Sequence, residues 1–459
     1  MAELFGFRFE KIKNTAPEDR FVQKSPDDGT VEISGGGHFA QVLDIDGYGT
    51  RNDLDLIRRY RDIAQQPECD SAIEDIVNEA IVSDERDKSV DIVLDNLEYS
   101  EKIKKSMRQA FDEVLSLLDF DTKGHDIFRR WYVDGRLFYH KIINSKNPKL
   151  GIQEVRYIDP RKIRKVKAVQ KVPGPQGSIL VKAEQDYYLY NEKMLKGMMN
   201  QGMRIAEDAI TYCPSGLIDA NKNQVLSYLH KAIKPVNQLR MIEDSLVIYR
   251  ISRAPERRIF YIDVGNLPKI KAEQYLKDVM NRYRNKLVYD ANTGEIRDDR
   301  NHMSMLEDFW LPRREGGRGT EITTLPGGSN LGEIDDITYF QRKLYRSLNV
   351  PISRLEAEQS FSLGRSTEIT RDELKFTKFI QRLRKKFIPL FLDMLKTQLV
   401  LKGIINVEEW PKIKEHIQFD FLKDGHFAEL KAQELLNDRI NMLGSVENYI
   451  GTFFSKEFV

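Results

Sequence analysis

Cysteine is almost absent: the 459 residues hold two, Cys69 and Cys213, far apart and with no metal-ligand neighbour at short spacing. That excludes a disulfide framework and a zinc module, and it fits manufacture in a reducing compartment. Long apolar runs are missing too. No stretch of about eighteen apolar residues occurs, so no helix is expected to span a membrane. The N-terminal MAELFGFRFEKIKN lacks the apolar centre of a secretory signal. The third absence is net charge, since 72 Lys and Arg against 71 Asp and Glu leave +1. That excludes the chain-wide basic footprint of a tight nucleic-acid binder, while leaving room for local rings or patches of charge.

Catalytic patterns are missing as well. There is no G-x-x-x-x-G-K-S/T phosphate loop, and LPGGSNLG and REGGRGTE neither follow a clear strand nor open a helix, so they read as linkers. The seven histidines show no H-x-x-x-H or H-E-x-x-H spacing. His125 and His140, on either side of Trp131-Tyr132, read as core or subunit-contact residues. The pairs Asp298-Asp299 and Asp335-Asp336 point their carboxylates in different directions, which suits solvation or capping better than Mg²⁺. No catalytic residue, metal site or cofactor is expected.

What is present is a long, charged, helix-rich chain, 31% charged and 41% hydrophobic, too long for one ordinary core. The first fifty residues are Gly- and Asp-rich without sustained period and read as an extended arm or irregular edge. Helical periodicity then puts Ile73, Ile76, Val77, Ala80 and Ile81 on one stripe, and Ile103, Met107, Phe111, Val114, Leu115 and Leu118 on another. The strand VDIVL lies between them. Asp134-Gly135 ends a helix and RLFYHKII continues as a strand, with further short strands up to DYYLY. The fold class is α+β, without βαβ alternation in this body and without internal repeats.

From Pro235 a helix with Leu239, Ile242, Leu246 and Tyr249 as its buried stripe runs to Pro255, past Arg250 and Arg253. Arg257 and Arg258 follow at once, at the head of the strand RRIFYIDVG. A compact insert of strand, helix and strand reaches about Asn330. A second helix then returns, with Ile337, Phe340, Leu344 and Leu348 on one face and Asp335 and Asp336 in its first turn. Two helices of about 17 residues would carry the insert on a stalk of roughly 25 Å. The polar stretch LEAEQSFSLGRSTEITRDE follows. Its Thr370-x-x-Glu373 pattern reads as a capping-box start for a helix from about Thr370 to Leu401, kinked at Pro389. The chain closes with an amphipathic helix and an apolar tail ending Phe458-Val459, which reads as a shortened or covered element.

Five stretches, in order along nearly the whole chain, carry a resemblance. They are FRRWYVDGRLFYHKII, RYIDPRKIRKV, YLHKAIKPVNQLRMIEDSLVIYRISRAPERRIFYIDVGNLP, HMSMLEDFWLPRREG and TRDELKFTKFI. Together they resemble the portal vertex proteins of contractile-tailed phages of the T-even type. The resemblance implies an elongated portal fold with wing, two-helix stem, inserted α/β clip, tunnel loop and helical crown. On this chain it maps to an N-terminal arm (1–50), wing (51–233 and 370–425), outgoing stem helix (234–254), clip (255–330), return helix (331–350), tunnel loop (351–369) and start of the crown (426–459).

The same resemblance implies a homododecameric ring at one capsid vertex that passes double-stranded DNA without reading its sequence. The implied partners are the large terminase subunit, the major capsid protein, scaffold proteins and the neck or head-completion proteins. Assembly in the host cytoplasm, at the inner face of the inner membrane, would be peripheral or through a partner. In a ring each tunnel-facing residue becomes a circle of like charge. Glu356, Glu358, Gln359, Ser360, Gly364 and Arg365 would lie on the tunnel loop, with Lys343 and Arg346 facing the tunnel from the return helix. Arg250, Arg253, Arg257 and Arg258 would form the stem–clip junction, pairing across subunits or complementing the helix C-terminus. Two other readings stay open. A metal-dependent nucleic-acid-processing enzyme would need a carboxylate constellation, and a scaffold or adaptor would be a monomer or small oligomer.

Overall fold

The computed structural model describes residues 2–4, 7–9, 28–35, 48–83, 88–173, 179–192, 202–219, 224–253, 257–283, 287–289, 296–298, 309–313, 321–325, 334–354, 365–422, 433, 436–437, 439–442 and 444. It divides into two compact units: residues 1–231 with 348–459, and residues 232–347.

The first unit opens with a short hairpin, β1 (Ala2–Leu4) and β2 (Phe7–Phe9), then β3 (Val31–Gly35). Helices α1 (Tyr48–Ala64) and α2 (Pro67–Ala80) precede β4 (Val90–Val93), and α3 (Glu101–Leu118) and α4 (Phe120–Asp134) follow it. α2 opens on Pro67, whose missing N–H costs nothing there. α4 ends at Gly135, with φ +71, where a Cβ would meet the Leu226 carbonyl oxygen at 2.8 Å. Only glycine can make that left-handed stop and the close approach behind it.

Six strands follow: β5 (Arg136–Ile143), β6 (Ile152–Ile158), β7 (Ile163–Pro173), β8 (Ile179–Tyr190), β9 (Met203–Ala206) and β10 (Ile210–Pro214). They form two sheets, β10-β5-β6 and β3-β7-β8-β9. The described part of the arm thus takes part in a sheet, which its lack of period did not suggest. β3 pairs in parallel with β7, from Val31 opposite Val166 to Gly35 opposite Gln170. Ahead of it, Asp28 takes an ion pair from Lys165 at 2.9 Å, and its carbonyl accepts from the Tyr212 hydroxyl at 2.7 Å.

The second unit begins with α5 (Ile233–Arg253) and β11 (Arg257–Asp263), then α6 (Lys269–Tyr283) and the pair β12 (Leu287–Tyr289) and β13 (Ile296–Asp298). β14 (Phe309–Arg313) and β15 (Glu321–Leu325) complete a sheet of order β14-β11-β15, and α7 (Asp335–Leu348) returns. β14 is parallel to β11, which requires the crossover that α6 supplies. Neither β14 nor β15 stands out in the sequence, because Pro312 interrupts β14. An edge strand tolerates that proline. α6 packs Ala272, Leu276 and Val279 on Phe260, Ile262 and Val264.

α5 departs from its predicted stripe. Leu239 is buried, but Ile242 and Leu246 are half-buried and Tyr249 is 42% exposed. Met241, Val247 and Ile248 are exposed as well, so this helix's apolar residues are spread around it rather than gathered on one covered face.

The first unit resumes with α8 (Arg365–Phe387), α9 (Pro389–Leu401), α10 (Trp410–His416) and β16 (Gln418–Phe421), which pairs antiparallel with β4. One sequence expectation is corrected here. α8 starts at Arg365, five residues before Thr370, and Glu373 is engaged by Arg354 instead of serving a capping box. Residues 365–369 are helix, not loop. The interruption falls where the kink was expected: α8 ends at Phe387 and Pro389 opens α9, while Ile388 between them stays in the right-handed helical region and donates to the Arg384 carbonyl at 3.1 Å.

The core of this unit runs along that interruption. Phe387 packs on Phe120, Phe128, Trp131 and Phe391, with ring centroids 5.1–6.3 Å apart. Phe391 continues the chain of rings to Phe111 and Phe120. All six are fully buried. Burying each of these side chains contributes about 2–3 kcal/mol, with edge-to-face geometry adding to that.

Candidate functional site

The described residues of the candidate site flank 355–364, which lies outside the description. A short 3-10 turn, Ile352–Arg354, leads into it and α8 leads out. The two feet are joined by one side chain. Arg354 donates from Nε and Nη2 to the two carboxylate oxygens of Glu373, at 3.1 and 3.0 Å. This is the fork geometry that makes arginine–carboxylate pairs specific. Asp75 and Glu79 on α2 lie 3.9 and 3.7 Å from the same guanidinium, and the Phe376 ring sits beneath it at 4.5 Å. Burial opposes the Arg354 charge, but Glu373, Asp75 and Glu79 outweigh it and raise the pKa. Burial pushes the Asp75 carboxyl up, with Arg354 working the other way.

Two further buried cations hold α8 and α9 in place. Arg384 donates to the carbonyls of Ala80, Glu79 and Leu422 at 2.9, 2.9 and 3.0 Å, closing the C-terminal end of α2. Lys141 on β5 reaches Asp393 at 2.7 Å and Thr397 at 3.1 Å, and the Thr211 hydroxyl donates to the same Asp393 oxygen at 2.7 Å. Sequence reasoning missed Arg354, Arg384 and Lys141 and read Glu373 as a cap. For Arg384 and Lys141 the only signal was a charge at an otherwise apolar helix or strand position, and their partners lie far away along the chain.

The sequence-predicted site residues fall differently. Glu356, Glu358, Gln359, Ser360 and Gly364 lie outside the described residues. Arg365 is the first residue of α8, and nothing of its side chain is described. Lys343 on α7 donates to Gln238 on α5 at 3.3 Å and lies over the Phe340 ring, so its charge is engaged within the helix pair. Arg346 is exposed in the last turn of α7, where a cation complements the helix dipole. Arg250 is half-buried, its Nε without an acceptor among the described residues. Arg253 closes α5 and Arg257 and Arg258 open β11, with side chains outside the description.

Among the described residues no group of three or more His, Cys, Asp or Glu is placed to hold a metal ion. Both thiols are buried, and burial pushes each pKa up to about 12. A cavity of mixed charge, ≈ 380 Å³ between β10 and α9, sets Asp28, Glu207, Asp208 and Asp393 against Lys165, Lys396 and Lys414. That lining offers no nucleophile–base pair.

The profile of the family described as "Bacteriophage T4-like portal protein (Gp20)" matches residues 53–459. The chain therefore belongs to the T4-like portal protein family of bacteriophages. A "Portal protein" of Vibrio phage KVP40 is 43% identical over 436 residues, covering 92% of this chain and 84% of the relative. Another "Portal protein", of Salmonella phage ViI, is 37% identical over 453 residues, covering 94% and 80%. A solved chain from the neck of a native GTA particle, computed with C12 symmetry, is 12% identical and covers 88% of this chain and 91% of that one. Its TM-score is 0.40, too loose a likeness to carry structural argument.

Proposed function

We propose that this chain forms a closed ring of twelve copies at one capsid vertex and serves as the conduit for double-stranded DNA during packaging and ejection. The carrying observation is the family match across residues 53–459. Compatible with it is the placing of residues 232–347 as a second unit within the chain. In this reading α5 and α7 are the stem and the unit they carry is the clip, the docking face for the terminase and then for the neck. The first unit is the wing, 355–364 the tunnel loop and the C-terminal region the crown. Major capsid and scaffold proteins are its assembly partners. Any membrane attachment runs through a partner, since no helix among the described residues is long and apolar enough to cross a bilayer.

The ring reading gives a use to side chains that one chain leaves uncovered. Met241, Ile248 and Tyr249 on α5 and Tyr339 on α7 are 67%, 52%, 42% and 62% exposed. Apolar surface of this kind suits a neighbouring copy. The conduit itself needs no chemistry from this chain, because ATP hydrolysis belongs to the motor. Glu356 and Glu358 on the loop, and Arg365 at the start of α8, are proposed as rings that keep phosphates moving, by salt-dependent forces of modest size. The test is DNA packaging into proheads assembled with and without this chain. Nuclease-protected DNA should appear only with it. Equal protection in its absence would refute the conduit.

A further inference from the structure

The exposed face of α8 carries a segregated run of positive charge. From Leu374 to Leu392 there are six Lys and Arg and no Asp or Glu, in a chain whose net charge is only +1. Arg384 is occupied with the carbonyls at the end of α2. Lys375, Lys378, Arg382 and Lys385 are all exposed and line one shallow groove together with Gln381. Their spacing is i, i+3, i+7, i+10, which puts four cations along a single helical face.

We propose that this face is a track for the phosphates of duplex DNA, beginning beyond the tunnel loop. The proposal rests on the conduit reading and adds a contact surface to it. The four side chains span about 15 Å at 1.5 Å per residue. One strand of duplex DNA presents a phosphate about every 3.4 Å of axis, so a helix lying along it meets about four. The cations are available. Lys378 and Lys385 have no carboxylate in reach among the described residues. Arg382 lies over the Phe379 ring at 5.9 Å, and among the described residues Lys375 pairs with the solvent-exposed Asp372, at 2.8 Å. A neighbouring copy of the chain is the competing occupant. Lysine is depleted at protein–protein contacts, and among the described residues of this helix Leu374 is the only large apolar side chain exposed, so the face suits a polyanion better. α8 begins at Arg365, the last residue of the proposed site, so that site and the stripe share one element.

The test is fluorescence anisotropy of a labelled duplex of about 30 base pairs with the full chain, from 50 to 200 mM salt, on samples whose native mass is measured alongside. Lys378→Ala with Lys385→Ala should weaken binding about tenfold at low salt and flatten the log–log salt slope by about 2. The native mass should not change. Lys102→Ala with Lys105→Ala, exposed on α3, should change neither affinity nor slope. Unaltered affinity and slope in the α8 variant would overturn the proposal. So would loss of the ring, which would make the stripe a subunit contact. A parent ring that holds no duplex would overturn the track and leave the ring reading standing. A parent monomer that binds DNA through these lysines would do the reverse.

Discussion

Removing Arg354 tests how the 355–364 segment is tethered. Arg354→Gln takes away a two-pronged ion pair with Glu373 and the nearby charge that balances Asp75 and Glu79. The Arg354 and Glu373 side chains are 28% and 17% exposed, so the pair is neither fully buried nor fully screened. Breaking a buried pair costs about 3–5 kcal/mol, and an exposed one is worth under about 1. The intermediate burial here places the loss at about 2–3 kcal/mol, including the contact with Phe376.

Three carboxylates would then face one another without a cation. Their folded-state pKa values would rise above the unfolded ones, so the variant should regain stability as the pH falls from 6 toward 4. The assay is urea unfolding followed by tryptophan fluorescence, since Trp131 is fully buried in the same unit. Adding Glu373→Gln should recover part of the loss, giving a coupling of about 1 kcal/mol or more. A variant as stable as the parent, or a double variant whose losses simply add, would refute the tethering.

Asp159 offers a second pH test. Burial pushes its carboxyl up, but hydrogen bonds from Arg161 and Arg61 outweigh it and hold the pKa at about 2. A lowered folded pKa gives stability that is present above the unfolded value and lost as the pH falls toward 2. Asp159→Asn should therefore cost about 2 kcal/mol near neutrality, with the two stability curves converging below pH 4. Phe387→Ala should cost about 4 kcal/mol by opening a cavity between four aromatic rings, and Phe387→Leu clearly less, both read by urea midpoint. Cys69 and Cys213 should resist iodoacetamide at pH 8 in the native chain and react fully once it is unfolded. Rapid native labelling would contradict their burial.

Local periodicity made much of the first unit legible. The stripes of α2 and α3 and the Asp134-Gly135 stop were readable because each is a short-range pattern with one physical solution. α5 misled because its apolar residues surround it, so choosing i, i+3, i+4 positions selects a face that the chain itself leaves partly open. β14 was hidden by Pro312, and the start of α8 by a capping pattern whose glutamate is used elsewhere. The Arg354, Arg384 and Lys141 anchors were out of reach for another reason. Lys141 and Asp393 stand 252 residues apart, and no local pattern encodes such a pairing. The predicted loop residues were drawn from resemblance, and their placement remains a proposal.

The ring itself is the claim on which the functional account turns, and native mass spectrometry of the full-length chain tests it most directly. The account predicts one dominant closed species of twelve chains, with a central channel in electron images of the same sample. A stable monomer, dimer or open-ended filament under assembly conditions would contradict it.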